Sequence, residues 1–115
     1  MSNKRSGRMP KDHPEKLTAR SGGMCERCIV NPANDIHHRR YLSRGGMHNL
    51  ANLIHLCGNG NIDGCHGEAH TGIGGEVGTS ISRHNPRHES EITFTDLLGR
   101  AWQLDDDGGK HELST

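Results

Sequence analysis

Large apolar side chains are scarce in this sequence of 115 residues. It contains one tryptophan, one tyrosine and one phenylalanine, and only 30% of its residues are hydrophobic. A chain of this length has room for one small domain, and so few apolar residues exclude a core that would stabilise the domain by itself. The 16 glycines increase the conformational entropy that folding must overcome. The composition therefore predicts a covalent or metal brace.

Long apolar runs are also missing. No stretch approaches the roughly 20 apolar residues of a membrane span, and the charged residues 1–5 are followed by no run of signal-peptide length. The sequence thus predicts a cytoplasmic protein without a membrane partner. Thiols stay reduced in that compartment, which favours metal binding by cysteine over disulfide formation.

The four cysteines form two pairs, Cys25-x2-Cys28 and Cys57-x7-Cys65. The first spacing is typical of a zinc knuckle, whereas the second exceeds the usual two to four residues. The intervening residues 58–64 are of types that favour turns, so they can loop out without moving either cysteine. We predict a structural zinc ion held by all four thiolates. Two disulfides and mixed Cys/His ligation are the alternatives.

Net charge favours neither sign, because 14 basic residues balance 14 acidic ones. This balance alone argues against a nucleic-acid partner, but the charges are unevenly distributed. Residues 1–44 carry a net charge of +6 and residues 45–115 carry −6. The basic half suits phosphate contact, and Arg39, Arg40 and Arg44 are its predicted contacts. Ordinary solvated arginines on two mutually neutralising faces are the alternative interpretation.

Local signals divide the chain into a flexible basic arm (residues 1–12), a central zinc-stapled domain (residues 13–78) and a β-rich extension packed on it (residues 79–115). In the centre, proline and glycine positions predict a helix at residues 14–20. Strands are predicted at residues 35–39 and 52–56, and a helix at residues 65–71, ended by Gly72. The extension has three candidate strands, at residues 79–82, 91–94 and 101–104, which we expect to pack Phe94 and Trp102.

Adjacent side chains of a strand point to opposite sides, so His37 and His38 cannot both bind one metal ion comfortably. His66 and His70 are four residues apart, which places both on one face of a helix. Together with His37 they form a three-ligand site with open positions, as a catalytic metal requires. His38 is then free to act as a general base. The alternative places His66 and His70 in the zinc cluster or on a solvated face.

These motifs resemble those of the HNH endonucleases. The matching residues are His37-His38, then Asn52 five residues before Cys57, then Cys65-His66-x3-His70, and the His-His start is closest to the colicin DNase variant. The resemblance implies an α+β fold of the ββα-metal type, braced by a four-cysteine zinc site, with a short C-terminal β extension. By resemblance His37, His66 and His70 bind the catalytic metal, His38 is the general base, and Asn52 fixes the loop that orients it.

The function expected from this resemblance is that of a metal-dependent DNA endonuclease, which hydrolyses phosphodiesters with a histidine base and one divalent ion. The expected ion is Mg²⁺, Mn²⁺, Ni²⁺ or Zn²⁺, in addition to the structural Zn²⁺. Small free-standing bacterial and phage proteins of this family act in DNA packaging, restriction or homing, and a phage-encoded copy would work in the host cytoplasm. The rival hypotheses are a non-catalytic zinc-braced nucleic-acid-binding module and a purely structural zinc protein of a larger assembly.

Overall fold

A computed structural model describes residues 8–59 and 63–113 of the chain. The predicted arm at residues 1–12 and the predicted loop at residues 58–64 therefore lie partly outside the described residues. The described chain is α+β, with three α-helices and two small antiparallel sheets. None of the described helices is long and apolar enough to cross a membrane. In chain order, the elements are α1 (His13–Ser21), β1 (Asp35–His38), β2 (Leu53–Leu56), α2 (Gly64–Ala69), α3 (Gly72–Val77), β3 (Phe94–Thr95), β4 (Ala101–Leu104) and β5 (Lys110–Glu112).

Helix α1 forms where the sequence predicts a helix. A proline lies in its first turn, where the missing N–H costs no hydrogen bond. Its C-terminal cap is Gly22, which adopts the left-handed conformation at φ 69° and donates its N–H to the carbonyl of Thr18. The helix buries Leu17 against Leu50 and Leu53, so α1 packs against the start of β2.

Strands β1 and β2 form an antiparallel hairpin, and α2 is the next regular element along the chain. The register pairs Asp35 with Leu56 and His38 with Leu53. Side chains alternate along a strand, so Asp35 and His37 share one face of β1. Both contact α2 through His66, whose Nδ1 lies 3.0 Å from an Asp35 carboxylate oxygen and whose ring centroid lies 4.7 Å from that of His37. This order of two strands and a helix places the histidines of the hairpin beside those of the helix.

The region around Gly72 differs from the prediction. The predicted helix, α2, ends at Ala69, and Gly72 begins a further helix, α3, that was not predicted. Thr71 caps α3, because its hydroxyl accepts a hydrogen bond from the N–H of Ile73. Gly74 lies so close to the backbone of Ala69 that a Cβ would collide with it. Tight packing of α3 on α2 therefore compensates for the low helix propensity of a glycine-rich segment.

The C-terminal extension contains one three-stranded antiparallel sheet in the order β3-β4-β5. The strand predicted at residues 101–104 is found as β4, whereas the one predicted at residues 91–94 shares only Phe94 with β3. Residues 79–82 are not a strand, and the polar strand β5 was not predicted because it lacks apolar alternation. Phe94 and Leu104 are buried in one core with Ile54, Leu56 and the cysteines. Trp102 packs at its edge and donates its indole N–H to Asp96.

Arg39 and Arg40 lie in the interior, contrary to the prediction that they contact phosphate. Arg39 is 0% exposed, and burial lowers its pKa only to about 10, so it stays charged at neutral pH. Its guanidinium donates to the carbonyls of Ala51, Gly78, Glu89 and Ile92. That of Arg40 donates to the Glu89 carboxylate and to the carbonyls of Ser82, Asn85 and Arg87.

Two further arginines of the basic half form internal ion pairs. The Arg20 guanidinium binds both carboxylate oxygens of Glu26, at 2.7 and 3.0 Å, and also donates to two backbone carbonyls of the hairpin region. Arg27 joins the Glu68 carboxylate of α2 at 2.9 Å. Four of the ten basic residues in residues 1–44 are therefore engaged in internal contacts.

Replacing Arg39 by methionine should strongly destabilise the protein. Each buried carbonyl left without a donor costs about 1–3 kcal/mol, so the variant should lose at least about 3 kcal/mol of unfolding free energy. Urea denaturation followed by circular dichroism measures this loss. The exposed Arg44→Met variant is the matched control and should unfold near the wild-type midpoint. Equal midpoints for the two variants would contradict the bracing role of Arg39.

Candidate functional site

The four cysteines converge in the core, from the segment after α1, the end of β2 and the start of α2. Their sulfur atoms all lie within 4.8 Å of one another, and those of Cys28 and Cys57 are 3.8 Å apart. Four thiolates placed tetrahedrally about 2.3 Å from a zinc ion would be separated by about 3.8 Å. All four thiols are free, so the structure contains no disulfide at this site. The cluster fits a structural metal such as zinc.

The turn that carries Cys25 and Cys28 is fixed by hydrogen bonds to sulfur and backbone. The N–H of Cys28 points at Cys25 Sγ, at 3.4 Å, and the Asn31 amide points at Cys57 Sγ, at 3.8 Å. Ile29 has φ 74°, unusual for a β-branched residue. Such local strain is tolerated because the surrounding contacts determine the turn.

The ionisation of these thiols to thiolates also favours a bound cation. Hydrogen bonding from the Cys65 thiol lowers the pKa of Cys25, and the same interaction raises the pKa of Cys65. Burial raises the pKa of Cys57. Four neighbouring thiolates repel one another when no cation is present, so the protein alone cannot hold them all deprotonated. A divalent ion removes this conflict, since zinc ligation deprotonates the coordinating thiols.

The seven-residue segment between Cys57 and Cys65 is closed at its base by contact between Gly58 and Gly64. We call this contact the neck. Gly58 and Gly64 both have positive φ, at 92° and 65°, and a Cβ on either would collide with the other's segment of backbone. Just beyond the neck, the N–H of His66 donates to the carbonyl of Cys57 at 2.9 Å. The two cysteines are therefore held close together, as the sequence interpretation requires.

A second cluster consists of His37 from β1, His66 from α2 and His70, which caps the end of α2. One ring nitrogen from each lies within 4.8 Å of the other two. The ring centroids are 4.7 Å apart for His37 and His66, 5.2 Å for His37 and His70, and 5.1 Å for His66 and His70. The structure thus brings together the three histidines predicted to bind a metal, with His38 outside the cluster.

Each histidine of the second cluster has one ring nitrogen in a hydrogen bond with a group outside the cluster. His37 Nε2 donates to the carbonyl of Thr79 at 2.9 Å, and His66 Nδ1 donates to Asp35 at 3.0 Å. In the neutral form of each ring, this hydrogen bond leaves the lone pair on His37 Nδ1 and on His66 Nε2. His70 Nδ1 lies 3.0 Å from the Tyr41 hydroxyl. Such outer partners are typical of histidines that bind metal.

The protonation states of the cluster also suit metal binding. Burial, together with the neighbouring His66 and His70, lowers the pKa of His37 to about 3. Burial and His66 lower the pKa of His70 as well. At neutral pH both rings are therefore uncharged, which is the form that binds a metal.

His38 borders the same open cavity as the second cluster but makes different contacts. The cavity measures about 390 Å³ and is lined by Ile36, His37, His38, Tyr41, Leu42, Ser43, His66 and His70. His38 Nε2 lies 2.9 Å from His48 Nδ1. Burial and His48 lower the pKa of His38 to about 4. His38 is therefore neutral at pH 7 and lines the cavity where the three clustered histidines meet.

Asn52 joins the two backbone segments that carry His38 and His48. Its side-chain oxygen accepts from the N–H of Arg40, and its amide nitrogen donates to the carbonyls of Arg40 and Met47. The side chain is fully buried and uses three hydrogen bonds for this purpose. Asn52 thus clamps the loop between β1 and the 3-10 turn at Leu50–Asn52.

Sequence reasoning missed several residues of the site. Asp35 was recognisable, because strand alternation places it on the same face as His37. Tyr41, His48 and Thr79 could not be assigned, since their roles depend on where irregular backbone returns to the hairpin. Of the three predicted phosphate contacts, Arg44 alone is exposed, with its guanidinium carbon 4.8 Å from the centroid of the Tyr41 ring.

No family model, curated protein or solved structure matches the chain.

Removing the metal from the cysteine cluster should unfold the domain. Structural zinc supplies apparent binding energies of about 10–16 kcal/mol that are coupled to folding, and the apolar core is small. Metal analysis should find zinc, and circular dichroism should show loss of structure after chelation.

The matched control is the triple variant His37→Ala, His66→Ala, His70→Ala, which should keep the zinc bound by cysteine. A zinc-free folded protein, or two native disulfides detected by mass spectrometry, would contradict the assignment.

Proposed function

We propose that this protein is a metal-dependent DNA endonuclease of the HNH type. The observation that carries the proposal is the meeting of His37, His66 and His70 in a cavity that also contains His38. Two antiparallel strands followed by a helix supply these side chains, which supports the ββα-metal interpretation of the sequence motifs. The cysteine cluster would brace this arrangement from the core with structural zinc.

The histidine cluster would hold the catalytic ion through His37 Nδ1, His66 Nε2 and His70. An all-imidazole donor set favours a transition metal such as Zn²⁺ or Ni²⁺, whereas Mg²⁺ prefers oxygen ligands. A bound divalent ion would stabilise negative charge on the phosphoryl oxygens and on the leaving 3′ oxygen. The outer contacts to Thr79 and Asp35 would keep the two rings correctly oriented.

His38 would act as the general base. When His38 Nε2 donates to His48 Nδ1, the lone pair of His38 lies on Nδ1 and can accept a proton from water. The water oxygen then attacks phosphorus, and the bond from phosphorus to the 3′ oxygen breaks. This leaves a 5′-phosphate, and the 3′ oxygen takes a proton from solvent water to become a 3′-hydroxyl. The low pKa of His38 ensures that the base form is present at neutral pH.

Asn52 and His48 would position this base. Asn52 binds the backbone two residues after His38 and one residue before His48, so it fixes the separation of the two imidazoles. His48 then restricts rotation of the His38 ring. This arrangement supplies a physical reason for the loop-fixing role expected of Asn52, because a base must keep its hydrogen-bond geometry to the attacking water.

The His38→Ala variant should lose most cleavage activity while it retains fold and metal. Positioned general bases contribute roughly 10²- to 10⁴-fold in rate. Plasmid cleavage with added Zn²⁺, Ni²⁺, Mn²⁺ or Mg²⁺ measures the effect, with His111→Ala as a matched control at an exposed histidine outside the cavity. Wild-type cleavage by His38→Ala would overturn the assignment of the base. If wild-type protein binds DNA but never cuts it, the non-catalytic module is the correct interpretation.

Replacing His48 should slow turnover without weakening DNA binding. We expect kcat to fall by roughly 10-fold for His48→Ala, since the base is misoriented but still present. His48→Asn should recover part of this loss, because its side-chain amide can occupy the place of Nδ1. Single-turnover cleavage and equilibrium binding separate the two effects. A loss confined to binding would show that His48 acts elsewhere.

A further inference from the structure

Three exposed basic side chains surround a cavity next to the metal-binding histidines. Arg44, Ser82, Arg83 and His84 line this cavity, whose volume is about 330 Å³. Within the described part of the chain, its lining carries no carboxylate. Two arginines and a histidine thus line one site, and Arg83 Nε lies 3.4 Å from His84 Nε2. This arrangement favours an anion.

Arg44 connects this basic cavity to the histidine cluster. Its guanidinium carbon lies 4.8 Å from the centroid of the Tyr41 ring. The hydroxyl of that tyrosine lies 3.0 Å from Nδ1 of His70. Since Tyr41 and His70 both line the cavity beside His38, the basic cavity is adjacent to the place where a reacting phosphate would lie.

Arg40 holds the loop at residues 82–87 in place. This loop carries Arg83 and His84. The buried Arg40 guanidinium donates to the carbonyls of Ser82, Asn85 and Arg87 at 2.7, 3.0 and 2.7 Å. Within the loop, the Ser82 hydroxyl accepts from the N–H of His84 at 3.0 Å. The loop is therefore fixed although its side chains are exposed. A preorganised site loses less entropy on binding than a mobile one.

We propose that Arg44, Arg83 and His84 form a subsite for a backbone phosphate next to the one that is cleaved. This inference rests on the proposed function. A guanidinium group matches phosphate geometry and can bind two of its oxygens. The subsite would hold the DNA strand in register, so that the neighbouring phosphodiester enters the histidine cluster. Arg40, which was expected to touch DNA, would contribute only by bracing the loop.

The adjacency to the metal-binding cavity favours DNA over a membrane surface as the occupant. A lipid bilayer is broad and flat, while the two cavities are concave and connected through Tyr41 and Arg44. A nucleic-acid strand carries regularly spaced phosphates that can occupy both at once. The prediction is therefore a contact that contributes affinity without base preference.

The test measures binding of labelled DNA duplexes at several salt concentrations, in the His38→Ala background so that no strand is cut. The double variant Arg83→Gln, His84→Gln should bind roughly 3- to 10-fold more weakly at 0.1 M salt. The slope of log affinity against log salt should become shallower by about 0.9, the value for one phosphate contact. The control Arg87→Gln removes an exposed charge of the same loop that does not line the cavity, and it should bind like its parent.

The outcomes separate this proposal from the endonuclease assignment. If the parent binds DNA, wild-type protein cleaves it, and the double variant keeps the parental salt slope, the subsite is wrong and the proposed function stands. An equal loss in Arg87→Gln would also overturn the subsite, because general charge would then explain the effect. If the wild-type protein neither binds nor cleaves DNA, both proposals fall. If the double variant loses binding to phosphatidylglycerol vesicles while its DNA binding is unchanged, the basic cavity belongs to a membrane surface and the subsite is overturned.

Discussion

Hydrogen bonds from buried guanidinium groups to backbone carbonyls are the interaction on which the architecture depends. The chain has few large apolar residues, and the long segment between α3 and β3 contains little regular structure. Arg39 and Arg40 reach across from the end of β1 and bind that segment at several carbonyls. A single residue pair thus replaces many ladder hydrogen bonds. Burying the two charges is costly, and hydrogen bonds from all three nitrogens of each guanidinium group compensate for this cost.

The hairpin connects two sites with different chemistry. The end of β2 supplies Cys57 to a sulfur cluster in the core, while β1 supplies His37 to a nitrogen cluster beside an open cavity. Helix α2 begins at the first site with Cys65 and ends at the second with His70. A structural metal in the core would therefore fix the helix that carries two ligands of the proposed catalytic ion. In this arrangement, folding and the geometry of the reactive site share the same elements.

Local sequence patterns predicted the structural elements that are determined by residues close together in the sequence. Proline and glycine positions marked α1, and four-residue spacing paired His66 with His70. The charge distribution gave a wrong prediction of phosphate contacts, because a sum of charges over residues counts a buried arginine such as Arg39 as if it faced solvent. Strand β5 has no apolar alternation, and the contact of Thr79 with His37 joins residues 42 positions apart. Such features depend on tertiary packing, which single-sequence periodicity does not record.

The closed neck at Gly58 and Gly64 has a consequence for how this protein can vary. The two glycines at the base adopt the left-handed backbone conformation. The hydrogen bond from the N–H of His66 to the carbonyl of Cys57 holds the cysteines on either side close together. Loop closure costs only about 0.6 kcal/mol for each doubling of loop length. Lengthening or shortening the segment between the glycines should therefore cost little free energy of unfolding and leave the cysteines in place. The neck makes spacing between the second pair of cysteines a poor criterion for recognising this type of metal cluster.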